Sequence, residues 1–345
     1  MSQKNEILPL LLTVMVTSAL LGGIAWWLLN KTFPNFNDRS NSSSSSSSNN
    51  QISETLAAVK NVPEGLFNYG GSTTWAPIRK EVDFIIQQVW PKFRLVYTDP
   101  TTGTPGTGSG IRMLIENQLA FSQASRSLKD EEIQRAQQRG LTLKEVPVAI
   151  DGIAIAVHPD LPVSGLTITQ LKDIYTGKIR NWRQVGGPNL AIIPYSRRKE
   201  DGGTVEFFID QVLEKADFGS NIKYVYSTTP ALRKVSQNPG GIYYASAPEV
   251  VPQCGIKTLP LGKSENKLVA PYQEPSIPSS QCPQKRNQLN ELAFQKGEYP
   301  ITRRLFVIIK QNGQLDEQAG EAYADLLLTD QGQELIEKAG FVPLR

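Results

Sequence analysis

The chain of 345 residues carries 36 Lys and Arg against 33 Asp and Glu, a net charge of +3, with 39% apolar and 20% charged residues. This balance excludes a wholly disordered chain, a collagen and a disulfide-dense mini-scaffold, and it gives no argument for a nucleic-acid footprint, which takes clustered Lys and Arg. One histidine, His158, and two cysteines, Cys254 and Cys282, restrict metal and triad chemistry. No metal, cofactor or nucleic acid is expected.

In chain order, residues 7–29 run without a formal charge. As a helix they would span roughly 34 Å, enough for a bilayer core. Trp26 and Trp27 lie where an aromatic belt belongs. There is no A-x-A-like site and no cysteine directly after the run. Residues 1–30 therefore read as a retained signal anchor, a single transmembrane helix, with cleavage after Leu29 as the alternative. Residues 31–62 contain an unbroken serine run from Ser42 to Ser48 and read as a flexible tether, because a Ser/Asn tract cannot bury apolar surface.

The globular part is expected from near Val62, with strands and helices alternating to the end, which predicts an α/β fold. A helix is predicted over 76–90, where Ile78, Val82, Ile85, Ile86 and Val89 recur at helical spacing and Pro77 suits the first turn. Short strands are predicted over 93–97 and 191–195, and a buried strand over 147–157. Helices are predicted over 111–119, 171–175 and 205–213, and a long helical segment over 319–339. Cys254 and Cys282 stand 28 positions apart in a Pro-rich stretch; in an exported protein they form one disulfide or remain two unrelated thiols.

Three small Gly/Ser/Thr turns each open a helix: 70–74, 103–110 and 201–204. The first N–H groups of a helix lack intrahelical partners, the macrodipole adds partial positive charge there, and glycine lets a ligand approach the backbone. Together they make an anion site needing little formal charge. Arg197 and Arg198 precede the third turn, and Arg126 follows Ser125 in another loop; an arginine fork matches a tetrahedral oxyanion. N-capping explains any one turn alone. Neither a Walker loop nor a dinucleotide fingerprint is present.

From about Tyr69 to Leu344 the chain resembles the phosphate-binding subunit of bacterial phosphate ABC transporters, a type II periplasmic binding protein. The resemblance is carried by GGSTTWAP at 70–77, GTGSGI at 106–111, AFSQASRSL at 120–128, PVAIDGIAIAVHP at 147–159, LTITQLKDIYTGKIRNWRQVGGPN at 166–189, SRRKEDGGT at 196–204, PGGIYYAS at 239–246 and GQELIEKAGFVPL at 332–344. It implies a two-lobed α/β domain over 63–345 with an anion closed between the lobes. Lobe 1 is expected over about 63–150 plus a C-terminal part, lobe 2 over about 151–290, with a hinge near 145–155 and another late in the chain. The implied ligand is inorganic phosphate and the implied partner an ABC permease. The protein would be a monomer held on the periplasmic side of the cytoplasmic membrane by its N-terminal helix, or secreted if that segment is cleaved.

Residue by residue, the resemblance assigns Thr73 and Thr74 to the first anion turn and Thr107, Gly108 and Ser109 to the second. Ser125 and Arg126 form a further contact, and Arg198, Gly203 and Thr204 the third, with Arg197 as the neighbouring choice for the arginine. Some members carry at position 125 an aspartate that accepts the proton of hydrogen phosphate and rejects sulfate. Ser125 therefore leaves another oxyanion, such as sulfate, as an alternative, and a phosphate-sensing role as a second. No Ser-His-acid set points to an enzyme.

Overall fold

A computed structural model describes residues 55–199 and 202–344. The expected anchor, residues 1–30, lies outside them, as does most of the expected tether. Among the described residues no helix is long and apolar enough to cross a membrane. The fold starts ahead of the expected position 63: Leu56 is fully buried, its N–H donates to Gln331 and its carbonyl accepts from the Trp90 indole.

The strands are β1 (Gly65–Gly71), β2 (Phe93–Tyr97), β3 (Phe121–Ala124), β4 (Thr142–Val157), β5 (Leu166–Thr167), β6 (Ile193–Ser196), β7 (Lys223–Tyr224), β8 (Gly241–Ser246), β9 (Lys257–Leu259), β10 (Leu261–Ser264), β11 (Lys267–Val269) and β12 (Thr302–Gln311). The helices are α1 (Ala76–Val89), α2 (Thr107–Ile115), α3 (Asp130–Gln138), α4 (Ile168–Tyr175), α5 (Gly203–Gln211), α6 (Thr228–Gln237), α7 (Ala247–Val250), α8 (Glu291–Gln295), α9 (Leu315–Leu328) and α10 (Asp330–Lys338). The helix expected over 111–119 begins four residues earlier, so Gly108 and Gly110 of that turn lie inside it. The segment expected over 319–339 is two helices, broken where the extended Thr329 caps α10 by accepting the Gly332 N–H.

One sheet runs β2-β1-β3-β12-β4-β8-β6-β7, with β9 also on β4. The long β4 serves two lobes. Residues 142–152 pair with β12 in lobe 1, whereas Ile153–Val157 pair with β8 and β9 in lobe 2. The change of partner falls at Gly152/Ile153, and a Cβ on Gly152 would lie 2.1 Å from the Phe294 ring. Lobe 1 packs α1, through Ile78, Val82 and Ile86, and α9 around Phe121, Val148 and Val307; all of these apolar side chains are fully buried. Lobe 2 packs α4, α5 and α6 around Ile155, Tyr244 and Leu259. A disulfide joins Cys254 and Cys282, their Cα atoms 5.6 Å apart.

Candidate functional site

Three helix starts meet where the lobes face each other. Lobe 1 gives the turn after β1, the start of α2 and the loop after β3; lobe 2 gives the start of α5. A Cβ on Gly110 would lie 2.4 Å from the Gly71 Cα, so only glycines let α2 sit directly on β1. Ser72 donates to Ser125 Oγ at 3.0 Å, and Thr107 Oγ1 lies 3.2 Å from that oxygen while accepting the Ser125 N–H at 3.1 Å. The buried Trp75 indole donates to the neighbouring Ala124 carbonyl at 3.0 Å.

Lobe 2 closes tightly on this layer. A Cβ on Gly203 would lie 2.6 Å from Ser125 Oγ and 2.9 Å from Thr107 Oγ1. The hydroxyls of Thr74 and Thr204, one from each lobe, are 3.4 Å apart. Beside them lies a cavity of about 290 Å³ whose lining includes Thr73, Thr74, Arg197, Thr204, Thr228 and Glu249. The N-cap residues of α2 and α5 are Gly106 and Gly202, which have no side chain to cap the helix. The first-turn amides therefore keep the partial positive charge that suits an anion.

A buried network and a carboxylate open to solvent frame the cavity. Arg303 on β12 pairs with Asp151 on β4 and donates to Thr204 Oγ1 at 2.9 Å and Thr74 Oγ1 at 3.2 Å. Burial pushes the Asp151 carboxyl up, and Arg303, Ser246 and the Gly152 N–H pull it back. Glu249 keeps solvent access through the cavity. The protein around it raises its pKa by desolvation; a Thr228 hydrogen bond opposes this and the Asp151 charge adds to it.

The sequence matches the PBP superfamily domain over residues 46–331. Its relatives include the phosphate-binding protein PstS of Staphylococcus saprophyticus, 30% identical over 286 residues that cover 81% of each chain. The chain belongs to this family. PstS of Staphylococcus aureus is 27% identical over 278 residues, covering 79% of this chain and 76% of the relative. The same fold occurs in a Clostridium perfringens ABC transporter substrate-binding protein crystallised with bound phosphate (TM-score 0.62, 24% identity, 81% of this chain and 100% of that one). It also occurs in an ABC-type phosphate transport receptor from Vibrio cholerae (TM-score 0.61, 23% identity, 80% and 99%).

In this PstS-family member Thr73, Thr74, Thr107, Gly108, Ser125, Gly203 and Thr204 come together as the turns suggested, but three expected site residues do not face the cleft. Arg198 is exposed and lies with Lys199 and Lys215 on an outer surface of lobe 2. Successive side chains leaving β6 point to opposite sides, and it is Arg197 that lines the cleft cavity. Arg126 is claimed by carboxylates: Nε meets Glu206 at 2.7 Å, Nη1 and Nη2 meet Glu132 at 2.9 and 2.8 Å. It bridges lobe 1 to α5, helped by Lys129 at 3.2 Å from Glu206. Ser109 accepts the Gly106 N–H and donates to the Gly106 carbonyl, so its hydroxyl is spent on that residue rather than on the cleft or on the first-turn amides of α2.

Sequence reasoning missed Arg303, Asp151 and Glu249. Asp151 did carry a signal. A carboxylate inside the apolar run 147–157 must find a cationic or hydrogen-bonding partner. Nothing local identifies that partner as Arg303, 152 residues away.

Proposed function

We propose that this chain binds inorganic phosphate outside the cytoplasmic membrane and delivers it to an ABC permease for uptake. The observation that carries the reading is the meeting of uncapped helix starts and hydroxyls from both lobes beside Arg197. The amides of α2 and α5, the hydroxyls of Thr73, Thr74, Ser125 and Thr204, and the Arg197 guanidinium would supply donors to all sides of a tetrahedral oxyanion. Nothing covalent follows; closure buries the anion and opening releases it. The chain acts as a monomeric receptor rather than an enzyme, and residues 1–30 hold it at the membrane.

Selectivity divides two readings. Ser125 supplies no ionised acceptor, which favours a receptor for sulfate as readily as phosphate. Glu249 on the cavity wall favours phosphate, since a carboxylate accepts the proton of hydrogen phosphate and repels fully ionised sulfate. Titration calorimetry on the full chain with phosphate and then sulfate tests this. Tight binding of phosphate with weak binding of sulfate is expected; equal binding, or none of phosphate, refutes it. Arg197→Ala should weaken phosphate binding about tenfold or more, with Arg198→Ala unchanged.

A further inference from the structure

The inference concerns the site just described and rests on the phosphate-binding reading. Arg303 is 5% exposed and sits on β12 close to the crossing between lobes. Its guanidinium presents two edges. Along one, Nε and Nη2 hold Asp151 Oδ2 at 2.9 and 2.8 Å, while Asp151 Oδ1 accepts from Ser246 at 2.6 Å. At the other, Nη2 donates to the hydroxyls of Thr204 and Thr74, which belong to opposite lobes. Nη1, on that same edge, is buried with no hydrogen-bond partner among the described residues.

The chemistry of the fork fixes the polarity of its neighbours. A guanidinium donates and never accepts. Each threonine oxygen therefore accepts from Arg303, and its proton is turned away. A hydroxyl held in this way is a donor, which an oxyanion requires. The buried Nη1 needs an acceptor as well, because a charged donor left unsatisfied in the interior is among the costliest polar groups to keep. Asp151 balances the charge of the guanidinium, so the arrangement is held in place before any ligand arrives.

We infer that Arg303 is a second arginine of the anion site, donating through Nη1 to the bound oxyanion while Nη2 fixes Thr74 and Thr204 as donors to it. Both hydroxyls reach Arg303 in the closed arrangement, so the residue ties anion binding to closure.

Calorimetry with phosphate on the full chain tests this. Arg303→Met is expected to weaken binding about 30-fold or more, and Arg303→Lys, which keeps the charge but not the fork, about 3- to 10-fold. The double variant Asp151→Asn/Arg303→Met removes both partners of the pair, so it avoids a stranded buried carboxylate; it should melt near the wild type and still bind weakly. A positioning role is read by a cycle: Thr204→Val should cost about tenfold in the wild type and under about threefold in the Arg303→Met background. Wild-type affinity in Arg303→Met or in the double variant overturns the inference. If neither folds, wild-type affinity in Arg303→Lys overturns it, and additive losses in the cycle overturn the positioning role. A wild type that binds neither phosphate nor sulfate overturns the functional reading instead, and this inference with it.

Discussion

Gly203→Ala separates closure from folding. Gly203 is the first residue of α5, and its added Cβ would lie 2.6 Å from Ser125 Oγ and 2.9 Å from Thr107 Oγ1. Neither neighbour moves freely, because Ser125 is held by Ser72 and Thr107 and its own N–H is bound to Thr107. With the lobes apart, the methyl group meets solvent, and alanine is the better helix former by up to about 1 kcal/mol. With the lobes closed, it is overpacked, at about 1–3 kcal/mol. The closed state alone carries that penalty, so the phosphate Kd should rise about 5- to 150-fold. Calorimetry gives the Kd, and melting without and with phosphate gives the control. The unliganded midpoint should hold or rise slightly while the phosphate-induced shift shrinks. A Gly203→Ala protein that binds phosphate within twofold of wild type would refute the view that these lobes meet at this glycine.

Other perturbations address separate parts of the molecule. Glu206 is held ionised because the hydrogen bond and charge of Arg126, with the charge of Lys129, outweigh the rise that burial alone would cause. Glu206→Gln should raise the phosphate off-rate about tenfold, since a charged bond between lobes becomes a neutral one; an unchanged off-rate in stopped-flow fluorescence, with Trp75 beside the site as reporter, would count against this bridge. Glu249→Gln should shrink the preference for phosphate over sulfate by roughly tenfold, and an unaltered ratio in calorimetry would remove Glu249 from selectivity. Asp83 is raised from 3.8 to about 6 by burial, against the hydrogen bonds of Tyr69 and Tyr323 and the charge of Arg79. The folded state holds that proton more tightly than the unfolded one. Its contribution is full below about pH 4 and lost as pH rises through about 6, a decline of about 3 kcal/mol. Denaturant titrations from pH 4 to 7 should show this decline in the wild type and not in Asp83→Asn; parallel profiles would refute it.

Much of this arrangement was legible along the chain because it is local. The period of α1, the apolar run of β4 and the three glycine-rich helix starts each declare themselves within a dozen residues. The misreading of Ser109 is local, since its hydroxyl is spent on Gly106 three residues earlier; the others turn on contacts and facings that only the fold sets. Arg126 looks like an anion ligand until Glu132 and Glu206 are seen to occupy it. The choice between Arg197 and Arg198 depends on which side of β6 faces the cleft. Arg303 stands in an ordinary strand, and its role follows from Asp151, Thr74 and Thr204, which the fold brings to it. Leu56 extends the domain upstream because its apolar side chain docks near α10, at the other end of the chain.

The placement of β12 has a consequence for the order in which the chain acquires structure. Lobe 2 is nearly continuous, from Ile153 to Ile301, whereas the sheet of lobe 1 receives β12 between β3 and β4 only after lobe 2 has been made. Until then the inner edges of β3 and β4 have open hydrogen-bonding groups and uncovered apolar faces, a state prone to mispairing. Lobe 2 can therefore nucleate on its own contacts, while lobe 1 waits for pairings of long sequence separation, the slower class of event. Pulsed hydrogen exchange during refolding should find β8 protected before β1 and β3. A chain cut short before Thr302 should keep the order of its second lobe and lose that of its first.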